Sequence, residues 1–360
     1  MNKRYLDILN KLKNVPSEDR IVDSKILLID GLWLNAFIRA FAVNPTITDD
    51  GIHVGGIVGF LHTIGYAIKV TRPTRVIIAF DGPGGSVRRK QIYPEYKANR
   101  RTPTRISRMD HFSSYEEENH AKNYQIRKLV EYLQYLPVQY ILAHDIEADD
   151  VIAYLANEVY DTSECIIMST DQDYLQLVND RITVWSPTKK KMYNVDTLTK
   201  EFGITPNNFL MYKMLVGDTS DGIPGIKGIG LKSIIKRLPI LCETEEVTID
   251  KLLKYSDKQL SLLDEKGKQV HNYKIYKDVL ASKDQLVLND DLIQLRNVNI
   301  TRNTKILLSN QIKQPINRLL KHQFLRLVLE DKMNVGLKNP NLWMKEIFTQ
   351  LDVYASETYD

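Results

Sequence analysis

Cysteine is scarce: Cys165 and Cys242 are the only two in 360 residues. They lie far apart, one of them inside a strand-like run, which argues against a disulfide framework and for a reducing, cytoplasmic setting. No apolar run approaches the roughly 20 residues needed to span a bilayer, so no membrane association is expected. The N-terminal stretch M-N-K-R-Y-L-D-I-L-N-K-L-K-N lacks an uninterrupted apolar core and does not read as a signal peptide. Low-complexity tracts and internal repeats are missing as well. Charge of one sign is not dominant: 49 basic and 45 acidic side chains leave a net charge of +4, too mild by itself to identify a partner.

The composition is globular, 43% hydrophobic and 26% charged, and the length allows one large domain with an appendage or two domains. Residues 1–24 form an extension with Tyr5, Ile8, Leu9 and Leu12 at helical spacing. Short β-branched runs follow at residues 25–29, 76–80, 138–142, 165–168 and 182–185. Between them lie helical patterns at residues 32–41, 51–70 and 123–136, and a further one starts near Glu147. Strands alternating with helices imply an α/β fold with a mostly parallel sheet flanked by helices, whose ligands bind beyond the carboxyl ends of the strands.

Acidic residues fall at that edge. Asp30, Asp81 and Asp171 each follow a predicted strand, Asp173 lies two residues on, and Glu147, Asp149 and Asp150 open a helix directly after a fourth strand. A single Asp in such a place is ordinarily a turn former or helix cap. A helix start offers its own first-turn acids about 0.3–1 kcal/mol each, enough for two but not for this many. Carboxylates crowded together oppose one another's ionisation unless a cation neutralises them. The pattern therefore favours a metal site over a set of unrelated caps. Asp145 is read as leading into the helix and is set aside.

Two further features give such a site a substrate. Between Arg88 and Arg108, eight basic residues (Arg88, Arg89, Lys90, Lys97, Arg100, Arg101, Arg105, Arg108) stand against Glu95 alone, a net of +7, with Tyr93 and Tyr96 interleaved. Such a density beside an acidic centre suits a polyanion held over bound metals. Downstream, Asp218 and Asp221 precede I-K-G-I-G-L-K-S-I-I, a helix-hairpin-helix pattern. Gly228 and Gly230 permit close approach to a phosphate. Lys227, Lys232, Ser233 and the N–H groups of the next helix would bind it without reading bases. Beyond residue 238 the pattern weakens to helical stretches, expected to support the hairpin.

These strings together resemble the flap endonuclease and 5′–3′ exonuclease family, including phage 5′ nucleases of the ribonuclease H type and the nuclease domain of bacterial DNA polymerase I. The matching strings are L-L-I-D-G with I-R-A-F, I-I-A-F-D-G, R-R-K-Q-I-Y-P-E-Y-K-A-N-R, I-E-A-D-D-V-I-A, S-T-D-Q-D-Y-L-Q-L-V and G-D-T-S-D-G-I-P-G-I-K-G-I-G, in family order over residues 25–236. The resemblance implies a PIN-like (Rossmann-like) nuclease domain over residues 25–215, with a helical arch at about residues 85–120. A helix-hairpin-helix region at 216–300 and a helical C-terminal tail at 301–360 would follow. It implies phosphodiester hydrolysis by two Mg²⁺ ions, or Mn²⁺, leaving a 5′-phosphate and a 3′-hydroxyl. Asp30, Asp81, Glu147, Asp149 and Asp171 would be inner ligands, completed directly or through water by Asp150, Asp173, Asp218 and Asp221. All-oxygen ligation suits these ions and argues against zinc.

Lys97 and Arg100 match the pair that faces the scissile phosphate, Arg39 matches an Arg near the substrate's 5′ end, and Tyr96 is expected to stack on an unpaired base. The basic residues from Arg88 to Arg101, with Tyr93, would line the substrate path, and the hairpin would hold downstream duplex with a K⁺ on its carbonyls. Implied substrates are branched, nicked or 5′-ended duplex DNA and RNA–DNA hybrids. Implied partners are replication proteins, a single-strand-binding protein and a polymerase, around a monomeric enzyme of primer removal or repair. Gly222 departs from the pattern, standing where many relatives have Asn. Two rivals fit less well: a Toprim-type primase or topoisomerase needs Glu at the position of Asp30, and a nucleic-acid binder on a degenerate scaffold gains nothing from so many carboxylates facing phosphate.

Overall fold

The computed structural model describes residues 23–30, 37–98, 105–108, 111–262 and 273–356. The expected N-terminal helix, the first residues of the 32–41 helix, and Arg100 and Arg101 lie outside these. Six strands form one sheet: β1 (Lys25–Asp30), β2 (Arg75–Asp81), β3 (Gln139–Ala143), β4 (Glu164–Met168), β5 (Ile182–Ser186) and β6 (Lys191–Tyr193), in the order β3-β2-β1-β4-β5-β6. Every neighbouring pair is parallel except β5–β6. Within this sheet the short antiparallel β6 is absent from the sequence reading, as are the two-residue strands Gly217–Asp218 and Ile223–Pro224, which pair separately. In β1, Ile26 and Leu28 enter one apolar cluster while Leu27 and Ile29 enter the other, so the strand is covered on both faces.

The helices Phe37–Val43, Gly55–Thr71 and Tyr115–Leu133 cover one face, and Ala148–Tyr154 and Pro206–Val216 cover the other. Tyr115–Leu133 begins eight residues before its apolar periodicity suggests. Its first turn is the acidic run Glu116, Glu117, Glu118, and Ser114 caps it by accepting from the Glu117 N–H.

The C-terminal helices do not all support the hairpin. Phe324, Met344 and Phe348, from the helices Lys321–Glu330 and Pro340–Ser356, pack into the same cluster as Phe60 and Leu61 on the opposite face of the sheet. Gly65 makes the approach possible, since a Cβ there would lie 2.7 Å from Ile347 and 3.0 Å from Trp343. Among the described residues no helix is long and apolar enough to cross a membrane.

Candidate active site

The parallel strands end on one edge, and β1 sits where the order reverses between β2 and β4, the place where such sheets bind ligands. Asp30 and Asp81 are the last residues of β1 and β2. Glu147 caps the Ala148–Tyr154 helix, which carries Asp149 and Asp150 in its first turn. Asp171 caps the short 3₁₀ helix Gln172–Leu177 that follows β4. Each carboxylate is aimed by a local donor. Ser169 Oγ donates to Asp30 (3.0 Å) and the Ala148 N–H to Asp81 (2.6 Å). The Asp150 N–H donates to Asp149 (2.7 Å), and the Asp173 N–H to Asp171 (2.9 Å). One oxygen each from Glu147, Asp149 and Asp150 lie within 4.8 Å of one another.

Among the described residues, three cations are inserted among these acids. Arg89 is only 3% exposed; its guanidinium forks onto Asp150 at 2.8 and 2.9 Å, reaches Glu147, and donates through Nε to the Leu292 carbonyl at 2.9 Å. Lys97 bonds Glu147 and lies 3.8 Å from Asp221. Its backbone is left-handed (φ 55°), a conformation costly for a residue with a Cβ and frequent at functional sites. Lys213, 8% exposed, bridges Asp173 and Asp218 at 2.9 Å each.

Two expectations are corrected by this packing. Arg89 is not a surface contact for nucleic acid, because its face of the Val87–Ile92 helix is pressed onto the acidic helix. Tyr96 is no stacking platform: it is 1% exposed, and its hydroxyl donates to Glu147 (3.0 Å) and Asp221 (3.1 Å). Tyr93 is half-buried against the small apolar cluster of Ile223, Leu292 and Ile293. Arg39 and Lys90 are exposed and Arg88 is half-exposed. Lys213 was missed; its signal is a lone lysine among Phe209, Met211, Met214 and Leu215, five residues before Asp218.

Burial, then the neighbouring carboxylates Asp171, Asp149 and Asp81, pushes the Asp30 carboxyl up to about 7 despite the Ser169 hydrogen bond. Burial likewise raises Asp81 to about 6, with Asp149 and Glu147 adding to it. Burial and Asp149 raise Asp150 to about 7, and Asp149 and Asp171 are raised by burial too. Glu147 runs the other way: burial alone would raise it, but Arg89 and Lys97 hold it below the usual carboxylate range. Lys213 does the same for Asp218 against the same burial cost. Among the described residues Arg89, Lys97 and Lys213 stand among nine carboxylates, and the Asp30–Asp81–Asp149–Asp171 group is raised by burial and by its own acidic neighbours. Its donors are all carboxylate oxygens, a set that fits a hard divalent cation.

The hairpin follows from tight backbone packing. Gly217 (φ 73°) and Gly225 touch backbone to backbone, and a Cβ on Gly225 would lie 2.0 Å from the Val216 carbonyl. This closes the loop that carries Asp218 and Asp221. Gly222 is left-handed (φ 75°), a conformation open to Gly and tolerated by Asn, which accounts for either residue at this turn. The second helix starts at Leu231. Ser233 Oγ donates to the Gly230 carbonyl and accepts from its N–H, so Ser233 and that N–H brace the hairpin. Lys227, Gly228 and Lys232 are exposed, and a Cβ built on Gly228 or Gly230 would meet nothing within 4 Å.

Comparison with known proteins follows the same lines. A family model described as 5′-3′ exonuclease, N-terminal resolvase-like domain, matches residues 25–203. A 5′-3′ exonuclease of Bacillus subtilis (strain 168) is 32% identical over 256 residues, covering 69% of this chain and 77% of that protein. Flap endonuclease Xni of Shewanella sp. (strain MR-4) is 34% identical over 221 residues, covering 60% and 75%. Among solved structures, a bacteriophage T5 flap endonuclease, in a pseudo-enzyme–product complex with DNA and metal ions, shares the fold. Its TM-score is 0.57 at 21% identity, over 86% of this chain and 99% of that one.

Proposed function

Because this chain belongs to the 5′–3′ exonuclease and flap endonuclease family and is therefore a nuclease acting on DNA, we propose that it is a structure-specific 5′ nuclease using two-metal-ion catalysis. Its substrates in this reading are flaps, nicks and 5′ ends of duplex DNA, with RNA–DNA hybrids in addition, and its setting is primer removal or repair in the cytoplasm. The observation that carries it is the convergence of Asp30, Asp81, Glu147, Asp149 and Asp171 on one sheet edge, where burial and mutual repulsion raise all but the Arg89- and Lys97-paired Glu147. These five would hold the ions. Asp173, Asp218 and Asp221 would complete the set directly or through water, and Asp150, whose oxygens both accept from Arg89, would do so through water.

Two Mg²⁺ or Mn²⁺ ions, when bound, would supply Lewis-acid stabilisation of the phosphoryl oxygens and activation of the attacking water. The remaining work falls to the chain. Lys97 and Arg100 meet the charge that develops on the scissile phosphate, and Arg39 meets the 5′ end. Arg88, Lys90 and Arg101 neutralise the strand that passes over the site. Lys227, Lys232 and the Gly228–Gly230 backbone would hold the downstream duplex by its phosphates, and the hairpin would hold a K⁺ when one is bound. Arg89 and Tyr96 keep Glu147, Asp150 and Asp221 in place. A single-strand-binding protein and a polymerase are the partners this reading implies for a monomer.

The test is cleavage of 5′-labelled flap, nicked, hybrid and single-stranded substrates side by side, with Mg²⁺, with Mn²⁺ and with chelator. Metal-dependent release from the 5′ side of branched or nicked duplex is expected. Absence of cleavage with both ions would sink the catalytic reading and leave a DNA-binding protein.

A further inference from the structure

One buried donor beside the acidic cluster has no acceptor among the described residues. Tyr174 belongs to the 3₁₀ helix Gln172–Leu177 that Asp171 caps. Residues three apart eclipse one another in such a helix, which places Tyr174 on the side of Asp171. Its side chain is 0% exposed and shares an apolar cluster with Leu28, Ala79, Ala148 and Ile152, at the roots of β1, β2 and the acidic helix. The ring is therefore wholly enclosed by the protein. Its hydroxyl, in contrast, has no hydrogen-bond partner among the described residues. Buried hydroxyls are nearly always bonded, because one left without an acceptor forfeits what it gained from water.

The surroundings say what the hydroxyl faces. The carboxylates of Asp30, Asp149, Asp171 and Asp81 all lie close enough to interact with the phenol electrostatically, and a tyrosine hydroxyl at neutral pH is a hydrogen-bond donor. These four carboxylates come from four different elements. Asp30 accepts from Ser169, and Asp149, Asp171 and Asp81 accept from the backbone N–H groups of Asp150, Asp173 and Ala148. A carboxylate can accept from several donors at once, so the Tyr174 hydroxyl stands among groups able to take its hydrogen bond.

We propose that Tyr174 is a positioning residue of the metal centre: in the loaded site its hydroxyl donates a hydrogen bond to a ligand carboxylate or to a water held there, fixing the ligand set from beneath. This rests on the metal-dependent reading given above. The substitution Tyr174→Phe removes only the oxygen. Partners of this kind typically contribute ten-fold or more to metal affinity, so Mn²⁺ titration of the full chain without DNA should show affinity reduced about ten-fold. In chelator the thermal midpoint should be unchanged or higher, because the variant no longer buries an unmatched hydroxyl. Equal Mn²⁺ affinity in the two proteins overturns the inference while leaving the proposed function intact. A lowered midpoint in chelator also overturns it, since the hydroxyl would then be bonded within the protein itself. If the unsubstituted chain binds no Mn²⁺, the metal-dependent reading fails first and takes this inference with it.

Discussion

Asp30→Asn should stabilise the metal-free protein while abolishing cleavage, and the size of the effect should depend on pH in a defined way. Asp30 sits at the end of β1 with its carboxyl raised from 3.8 to about 7, chiefly by burial and then by Asp171. A group whose folded pKa is raised binds its proton more tightly in the native state. Its contribution is thus most favourable at acid pH and is lost as pH rises from about 4 through 7. Each tenfold gain in proton affinity is worth about 1.4 kcal/mol, so ionising Asp30 in the folded protein costs on the order of 4 kcal/mol by pH 8, and a little under half of that already at pH 5. Asn is nearly isosteric, stays neutral, and its Oδ1 can still accept from Ser169. In urea denaturation with chelator present, the variant's advantage should therefore grow by about 2–3 kcal/mol between pH 5 and pH 8. Saturating Mg²⁺ should restore the unsubstituted protein more than the variant, because the ion neutralises the charge that Asn lacks. A variant less stable at pH 8, or an advantage independent of pH, would refute the claim that burial and Asp171 raise the Asp30 carboxyl.

Two further outcomes separate internal cations from substrate contacts. Arg89→Leu should lower metal-free stability by about 3–5 kcal/mol, since it leaves Glu147 and Asp150 buried without their partner. An unaltered stability together with a shallower salt dependence of DNA binding would instead make Arg89 a phosphate contact. Lys232→Ala, at an exposed position of the hairpin helix, should reduce the slope of log affinity against log salt by about 1 and leave the single-turnover rate at saturating DNA unchanged. A slowed rate with an unchanged slope would contradict the hairpin's assignment as a backbone grip.

The sheet and the acidic edge were legible because topology does the work. In parallel strands, residues that follow short apolar runs arrive at the same edge whatever happens elsewhere, and Asp30, Asp81 and Asp171 needed no further information. The basic segment misled in its finer reading. Arg88, Arg89 and Lys90 look equivalent in sequence, yet a helix sends consecutive residues about 100° apart, and Arg89 alone turns onto the acidic helix. Tyr96 reads as a stacking aromatic only until its burial is known. Antiparallel β6 was not legible, since three residues, Lys191–Tyr193, carry no periodicity. The C-terminal helices were legible as helices but not by their partner face, which depends on the missing side chain of Gly65.

The interlock of three segments changes what the basic stretch can be. Residues 93–98 are tied to the loop after the Pro206–Val216 helix by a bond from the Lys97 N–H to the Asp221 carbonyl (2.8 Å), and Gly222 lies against Glu95, where a Cβ would come within 3.1 Å of its carbonyl. The same residues reach the acidic helix through Tyr96 and Lys97. The root of the basic stretch is therefore a wall of the acidic site and shares its electrostatics. Lys97 makes the consequence concrete. Its ammonium bonds Glu147, which also accepts from Arg89 and Tyr96, so Glu147 keeps partners when Lys97 turns elsewhere. An ammonium has three donors, so Lys97 could meet a phosphate with or without leaving Glu147, and a cation held by Glu147 would weaken its pull on Lys97. In the proposed reading, occupancy of the acidic site and availability of Lys97 for substrate would therefore favour each other.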